Sequence, residues 1–354
     1  MPREFVRTSG TQFVSDSAPV SLAGVNCYFL GFCSDSSRRA IMSVAQQIGA
    51  NVIRCWGFLD VEDRVPGAPA FQFRDQSGLT SDDGPNGLER LDDLIYLAEA
   101  ANIGLILPLV NYWPDFGGMP LYLRWLDLPS GIDEFYSSPL ARRAYKNWVE
   151  HILTRRNTIT GRLYSEEPAV IAWELANEPR CIEGGPALMV NWIAEMSRFL
   201  KSLDQNHLLA VGDEGFFYKR GKTHLYDGRY GTDFEAILQL QDIDFGTYHL
   251  YPQNWGQGAR ESFEESWITD HISAGDGARK PVLLEECGLR LDADVPSQGS
   301  RNAHYRRWSQ LINDLKGAGL LLWMLGANEP DTAAFRDAYT FLTAAELDSL
   351  LLST

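Results

Sequence analysis

Two glutamates stand where they can work as a pair. Glu178 closes the run Ala169-Val170-Ile171-Ala172-Trp173-Glu174-Leu175-Ala176-Asn177-Glu178-Pro179, and Glu286 lies in Pro281-Val282-Leu283-Leu284-Glu285-Glu286-Cys287-Gly288. Each follows a short apolar run that reads as a buried strand, so each falls at a strand's carboxyl end. Two carboxylates facing each other across a cleft are the equipment of glycoside hydrolysis. In the retaining form they stand roughly 5 Å apart; one attacks the anomeric carbon while the other protonates the leaving oxygen and later activates water. The tripeptide Asn-Glu-Pro does not identify the acid unaided, because a second copy occurs at Asn328-Glu329-Pro330. The residues around Glu178 must do so.

The ends of the other apolar runs carry a matching set: Arg54, Trp113, Asn177, His249, Tyr251 and Trp323. An arginine such as Arg54 near Glu286 would keep it ionised as the nucleophile, and the Tyr251 hydroxyl could add a hydrogen bond. Glu178 must hold a proton at rest, and the charge on Glu286 would raise its pKa in the required direction. Asn177 would hydrogen-bond a 2-hydroxyl, His249 would hold hydroxyls or orient Tyr251, and Trp323 would lie under a sugar ring. Glu285 is expected to point away, because side chains alternate along a strand. Alone, an arginine or tyrosine at a strand end is more often structural and a tryptophan more often core; the case rests on all of them sharing one mouth.

These residues need a frame that gathers strand ends. Apolar runs at 20–26, 51–57, 104–110, 169–175, 208–212, 245–249, 282–286 and 320–324 alternate with helical patterns near 36–48, 88–101, 141–153, 186–203, 263–272 and 302–316 and at the C-terminus. Eight such cycles are the number a closed (β/α)8 TIM barrel requires, and its active sites lie at the carboxyl ends of the strands. Residues 5–14 read as a small N-terminal β-hairpin that could plug one end. No linker or composition shift divides the chain, so the expectation is a single domain over residues 1–354. A doubly wound open sheet is the alternative, but it normally wants a glycine-rich phosphate loop after the first strand, and Gly24 and Gly31 are too widely spaced for one.

Composition narrows the partners. With 47 acidic against 31 basic residues, the formal net charge is −16, and anionic surfaces would be repelled. Nucleic acid and membrane are therefore not expected, and a neutral ligand is. The five cysteines show no metal or disulfide spacing, and the six histidines show no His-Glu-x-x-His pattern. No metal or other cofactor is expected, and a monomer is. The amino-terminal residues contain no apolar segment of the signal-peptide kind, so a cytoplasmic protein is the simplest reading, with secretion after removal of a signal peptide as the alternative.

The motifs resemble glycoside hydrolase family 5, and within it the β-mannanase group often called subfamily 7. The resemblance rests on Gly24-Val25-Asn26 with Tyr28, Val52-Ile53-Arg54-Cys55-Trp56-Gly57-Phe58, Asn111-Tyr112-Trp113, Ala172-Trp173-Glu174-Leu175-Ala176-Asn177-Glu178-Pro179-Arg180-Cys181, Val211-Gly212-Asp213-Glu214-Gly215-Phe216, Tyr248-His249-Leu250-Tyr251-Pro252 and Glu285-Glu286-Cys287-Gly288. It implies a retaining glycosidase cleaving β-1,4 bonds of mannan, glucomannan or mannooligosaccharides, with Glu178 as acid/base and Glu286 as nucleophile. It further implies that Arg180 and Trp113 line the aglycone side. Two positions depart from the pattern: Cys181 lacks the nearby cysteine it is paired with in secreted fungal members, and Cys287 stands where members usually carry an aromatic residue. These departures fit an exo-acting β-mannosidase or a transglycosylase on oligosaccharides as the alternative, depending on whether residues 61–87, 121–139 or 326–340 wall off the cleft. A non-catalytic carbohydrate-binding barrel is the remote alternative, and the presence of both glutamates argues against it.

Overall fold

A computed structural model of the chain describes residues 4–347 and Leu350. Eight strands form one parallel sheet: β1 (Leu22–Asn26), β2 (Val52–Arg54), β3 (Gly104–Pro108), β4 (Val170–Glu174), β5 (Leu208–Ala210), β6 (Gly246–Leu250), β7 (Val282–Cys287) and β8 (Gly319–Leu322). Their order is β5-β4-β3-β2-β1-β8-β7-β6. The outer pair, β5 and β6, is joined by hydrogen bonds that include the Thr247 hydroxyl to Asp213 O (3.1 Å). The Asp244 N–H donates to Leu209 O (2.8 Å), the Asp244 carboxylate accepts from Leu209 N–H (2.8 Å), and the His249 N–H reaches Glu214 O (3.2 Å). The result is the (β/α)8 barrel that the eightfold alternation implied.

Helices follow the first seven strands in turn: α1 (Asp35–Gln47), α2 (Glu89–Ala101), α3 (Pro139–Thr154), α4 (Gly185–Leu203), α5 (Phe234–Leu238), α6 (Glu261–Ala278) and α7 (Gln298–Asp314). The local reasons are visible in α3. Ser138 caps it by accepting the Leu140 N–H (3.3 Å), Pro139 fills the first turn, and Ala141, Ala144, Tyr145, Trp148, Val149 and Ile152 form its buried stripe. After β8 comes the short helix Ala344–Leu347; the rest of the expected C-terminal helix, apart from Leu350, lies outside the described residues. Three elements have too weak a pattern to be read in advance: α5, the helix Gly118–Trp125, and a small sheet of Asp60–Val61, Gln72–Asp75 and Gly78–Ser81 in the polar segment after β2. Among the described residues, no helix is long and apolar enough to cross a membrane.

Alternation along the strands divides the buried residues into two cores. Leu105, Leu107, Trp173, Leu209, Tyr248, Leu284 and Leu320 belong to the layer between sheet and helices. Leu22, Val52, Ile106, Ala172, Leu208, Leu283 and Leu321 form a separate cluster inside the barrel. The N-terminal residues close that cluster from below. Arg7–Ser9, Gln12–Ser15 and Ala18–Val20 make a three-stranded antiparallel sheet, one strand more than the expected hairpin, and Phe13 packs edge-on against Phe245 at 5.1 Å. Two residues further along the same inward register come Arg54, Glu174, His249 and Glu285, all fully buried. An apolar lower storey thus carries an ionic upper one.

Gly212 lets the end of β5 pass beneath the end of β4. Its φ is +84°, and a Cβ there would lie 2.1 Å from Ala176 O and 2.7 Å from Glu174 Oε2. Gly212→Ala is expected to lower stability by at least about 2 kcal/mol, from left-handed strain and overpacking, as read by urea unfolding.

Candidate active site

The segment after β4 continues between its neighbours as extended chain. Leu175 and Ala176 donate to Ala210 O and Val211 O, Asn177 N–H reaches Val110 O (2.7 Å), and Glu178 N–H reaches Gly212 O (2.8 Å). Glu178 itself adopts φ +49°. A non-glycine residue held there by neighbours on both sides is a conformation that clusters at functional sites. It turns the carboxylate into the mouth, where Oε1 meets His249 Nδ1 (2.7 Å) and Oε2 accepts the Trp113 indole N–H (2.6 Å).

Glu286 is placed by an irregularity in β7. Tyr248 pairs with Leu284 but the next residue, His249, pairs with Glu286, so Glu285 is an extra residue in the ladder. Leu283 faces the barrel interior and Leu284 the helices, so alternation turns Glu285 inward and the bulge re-aims Glu286; the expectation that Glu285 points away is corrected, its Oε2 lying 3.5 Å from both Arg54 Nε and His249 Nε2. Glu286 then takes the mouth. Arg54 donates to its Oε1, and the Tyr251 hydroxyl donates to its Oε2 (2.8 Å).

Arg54 is the hub of the ionic storey. Besides Glu286 it reaches Glu174 Oε2 (3.0 Å from Nε), Asn177 Oδ1 (2.8 Å) and Asn26 Oδ1 (3.3 Å). Arg54 and His249 are fully buried and stay behind the carboxylates, so they position groups that line the cleft and do not line it themselves. Asn177 does line it. Its Nδ2 also donates to Asn111 Oδ1 (3.1 Å), which leaves one amide hydrogen free for a sugar.

The cleft above has a volume of about 820 Å³. On the Glu178 side Arg180 grips Glu214 with two bonds (2.7 and 2.8 Å) and lies over the rings of Trp113 (5.0 Å) and Tyr230 (4.7 Å). On the other side Trp323 stacks on Tyr28 at 5.7 Å and 11°. Its indole N–H donates to Asp337 Oδ2 (2.7 Å) in the loop after β8, where Phe335 and Arg336 also face the cleft. Reading strand ends missed Asn26 after β1 and Glu214 after β5, although both stand at such ends. Tyr28, Phe335 and Asp337 sit in loops where no strand register applies. The second Asn-Glu-Pro lies outside the cleft lining: Glu329 precedes the 3-10 turn Pro330–Phe335 and its carbonyl accepts the Thr332 hydroxyl.

Burial alone would push the Glu178 carboxyl up, but the hydrogen bond and charge of His249, helped by Trp113 and Arg180, pull it down to about 2. Burial likewise opposes a charge on His249, yet Glu286, Glu178 and Glu285 together hold the imidazole well above its ordinary value. For Glu286, burial and the nearby Glu178 outweigh His249, Arg54 and Tyr251, and its pKa is raised. The expectation that Glu286 lifts Glu178 therefore fails in the free site, because the hydrogen bond and charge of His249 hold Glu178 down. Glu178, Glu286 and His249 each offer a donor atom within 4.8 Å of the others. Arg54, Tyr251 and Trp113 donate hydrogen bonds to the two carboxylates of this set. The five cysteines are free and buried.

Residues 3–316 match the family model described as glycoside hydrolase family 5, β-mannosidase-like. The chain is 36% identical over 355 residues to mannan endo-1,4-β-mannosidase A of Podospora anserina, covering 98% of this chain and 89% of that protein. It is also similar to the crystal structure of an endo-1,4-β-mannanase from Rhizomucor miehei (TM-score 0.90, 35% identity, 98% of both chains). A hyperthermostable endo-1,4-β-D-mannanase from Thermotoga petrophila superimposes with a TM-score of 0.81 at 37% identity, over 91% of this chain and 95% of the other.

Proposed function

We propose, from the premise that this chain belongs to glycoside hydrolase family 5 as one of its β-mannosidase-like members, that Glu286 and Glu178 cleave β-1,4-mannosidic bonds by double displacement. The observation that carries this reading is the spacing: an oxygen of each carboxyl lies within 4.8 Å of the other. That fits the roughly 5 Å of retaining enzymes and leaves no room for the water an inverting enzyme must place between its carboxyls. Glu286 suits the nucleophile's role because both its oxygens are fixed, by Arg54 and Tyr251. Glu178 suits that of acid and base because a proton waits 2.7 Å away on His249. Trp323 provides the platform for the sugar being cleaved, and Asn177 the amide for its 2-hydroxyl. Arg180, Trp113 and Tyr230 then flank the aglycone.

The cleft lining extends to both sides of the glutamates, from Arg180 and Tyr230 to Phe335 and Arg336. This supports internal cleavage of mannan or glucomannan, by a chain that acts as a monomer. Mannohexaose labelled at its reduced end is expected to give mannobiose and mannotriose from the earliest time points. Release of mannose one unit at a time would instead mean exo action, and cleavage of carboxymethyl-cellulose alone would mean that the sugar is wrong.

A further inference from the structure

We infer that Glu285 is a positioning residue for the acid step: acting through His249, it orders the imidazole so that Nδ1 stores the proton that Glu178 passes to the leaving group. This rests on the reading of Glu178 as the acid.

Three unsatisfied atoms meet beneath the mouth. His249 Nε2 and both oxygens of Glu285 are buried without a hydrogen-bond partner inside the usual distance. Nε2 and Oε2 face each other at 3.5 Å, and neither side chain has any exposure to water. Alternation from Leu283 turns Glu285 inward, and the β7 bulge brings Glu286 to the mouth beside it, so two successive glutamates face the same interior. A buried charge is costly unless paired, so an inward second glutamate calls for a reason. The other end of the same imidazole supplies one, since Nδ1 lies 2.7 Å from Glu178 Oε1 and 3.5 Å from Glu286 Oε2. The chain Glu285–His249–Glu178 places a carboxylate at each nitrogen of one ring.

That arrangement selects a tautomer. A carboxylate charge beside one ring nitrogen favours the tautomer that keeps its proton there. With Glu285 at Nε2, the ring that has given up its Nδ1 proton keeps the Nε2 proton, and the lone pair faces Glu178. In the first half-reaction the Nδ1 proton moves to Glu178 Oε1, and a proton passes from Glu178 to the glycosidic oxygen. The C1–O bond breaks with its electron pair left on that oxygen, while a lone pair of Glu286 forms the ester to C1. In the second half, water attacks C1 and the ester electron pair returns to Glu286. The water proton goes to Glu178, and Nδ1 is reprotonated. Glu285 exchanges no proton.

The charged and titratable groups around His249 are Glu174 and Glu178 from β4 and its extension, Arg54 from β2, and Glu285 and Glu286 from β7. Tyr251 follows β6, and Asp213 and Glu214 follow β5, with Arg180 paired to Glu214. Glu174 takes the burden off Glu285. Burial and the neighbouring Glu285 hold the Glu174 carboxyl well up against the pull of Arg54, whereas Arg54, Glu174 and His249 hold that of Glu285 down against burial.

The test is Glu285→Gln, which keeps the shape and removes the charge. A proton on the Glu178–His249 pair is required for activity and is lost as pH rises. Removing a nearby negative charge lowers the pKa of that pair, so the alkaline limb of kcat/KM on mannotetraose moves to lower pH. The expected shift is about one unit, with a loss of kcat of about tenfold at the native optimum and little change in KM. The pre-steady-state burst with 2,4-dinitrophenyl β-mannoside, whose leaving group needs no acid, is expected to stay close to native. An unmoved alkaline limb, or equal losses on both substrates, overturns the proposal. Glu178→Gln run alongside separates the two claims: if it shows no dependence on leaving group, the reading of Glu178 fails first. Should Glu285→Gln not fold, histidine 15N spectra of the native enzyme decide, with His249→Asn to assign the signal. Nδ1 is expected to be the nitrogen that loses its proton, and loss from Nε2 overturns the proposal.

Discussion

Glu178→Gln lowers kcat on mannohexaose by about 10²–10⁴-fold, the range that general acid and base catalysis supplies, and yet leaves the release of dinitrophenolate from an activated mannoside nearly intact. The amide keeps the acceptor for the His249 Nδ1–H but has no proton to lend to a sugar oxygen. A leaving group that departs as a stable anion does not need one. The contrast is sharpest before steady state, because in the second step the variant also lacks the base that activates water, and the mannosyl-enzyme accumulates. Azide, which attacks without a base, is expected to restore turnover of the activated substrate in Glu178→Ala and to yield the β-mannosyl azide. Equal losses on both substrates, or no azide product, would show that Glu178 does not do this work.

Glu286→Ala is expected to lose at least about 10⁴-fold on every substrate, activated or not, as removal of a nucleophile does in hydrolases. Here azide occupies the vacated space beneath C1 and gives the α-mannosyl azide, the opposite stereochemistry from the Glu178 variant. A 2-deoxy-2-fluoro mannoside with a good leaving group is expected to label the native protein once. Mass spectrometry should place the label on Glu286 and not on its neighbour. The distinction is demanding, since Glu285 and Glu286 both point inward, but only Glu286 lines the cleft. A label on Glu285, or turnover in Glu286→Ala above a thousandth of native, would overturn the role.

Much of this was legible in the sequence because two simple periods were at work. Apolar runs separated by helical stripes gave eight strands near their true positions, and a barrel collects strand ends. Glu178, Glu286, Tyr251, Trp113 and Trp323 consequently meet at one mouth. What stayed hidden depends on three-dimensional contact. That Glu285 and Glu286 both face inward follows from an extra residue in the β7 ladder, which strict alternation cannot express. His249 looks like a sugar contact when read as a strand end, but it is wholly covered by the carboxylates it holds. The downward shift of Glu178 needs the 2.7 Å contact with His249, and no spacing encodes that distance. Asp337 and Tyr28 approach Trp323 from loops, where neither period runs.

The two-storey interior has a consequence for how protons are counted. Leu22, Val52, Ile106, Leu208, Leu283 and Leu321, with the N-terminal sheet beneath, close the lower end of the barrel. The ionic storey opens only upward, through the cleft. A seated oligosaccharide stoppers that opening, so arginine, imidazole and carboxyls become a sealed cell whose proton inventory is fixed until product leaves. Within one turnover the proton that departs on the aglycone oxygen is replaced by the one the hydrolytic water leaves on Glu178. Whatever protonation state the free enzyme holds when substrate arrives is therefore the state in which it must cleave the glycosidic bond.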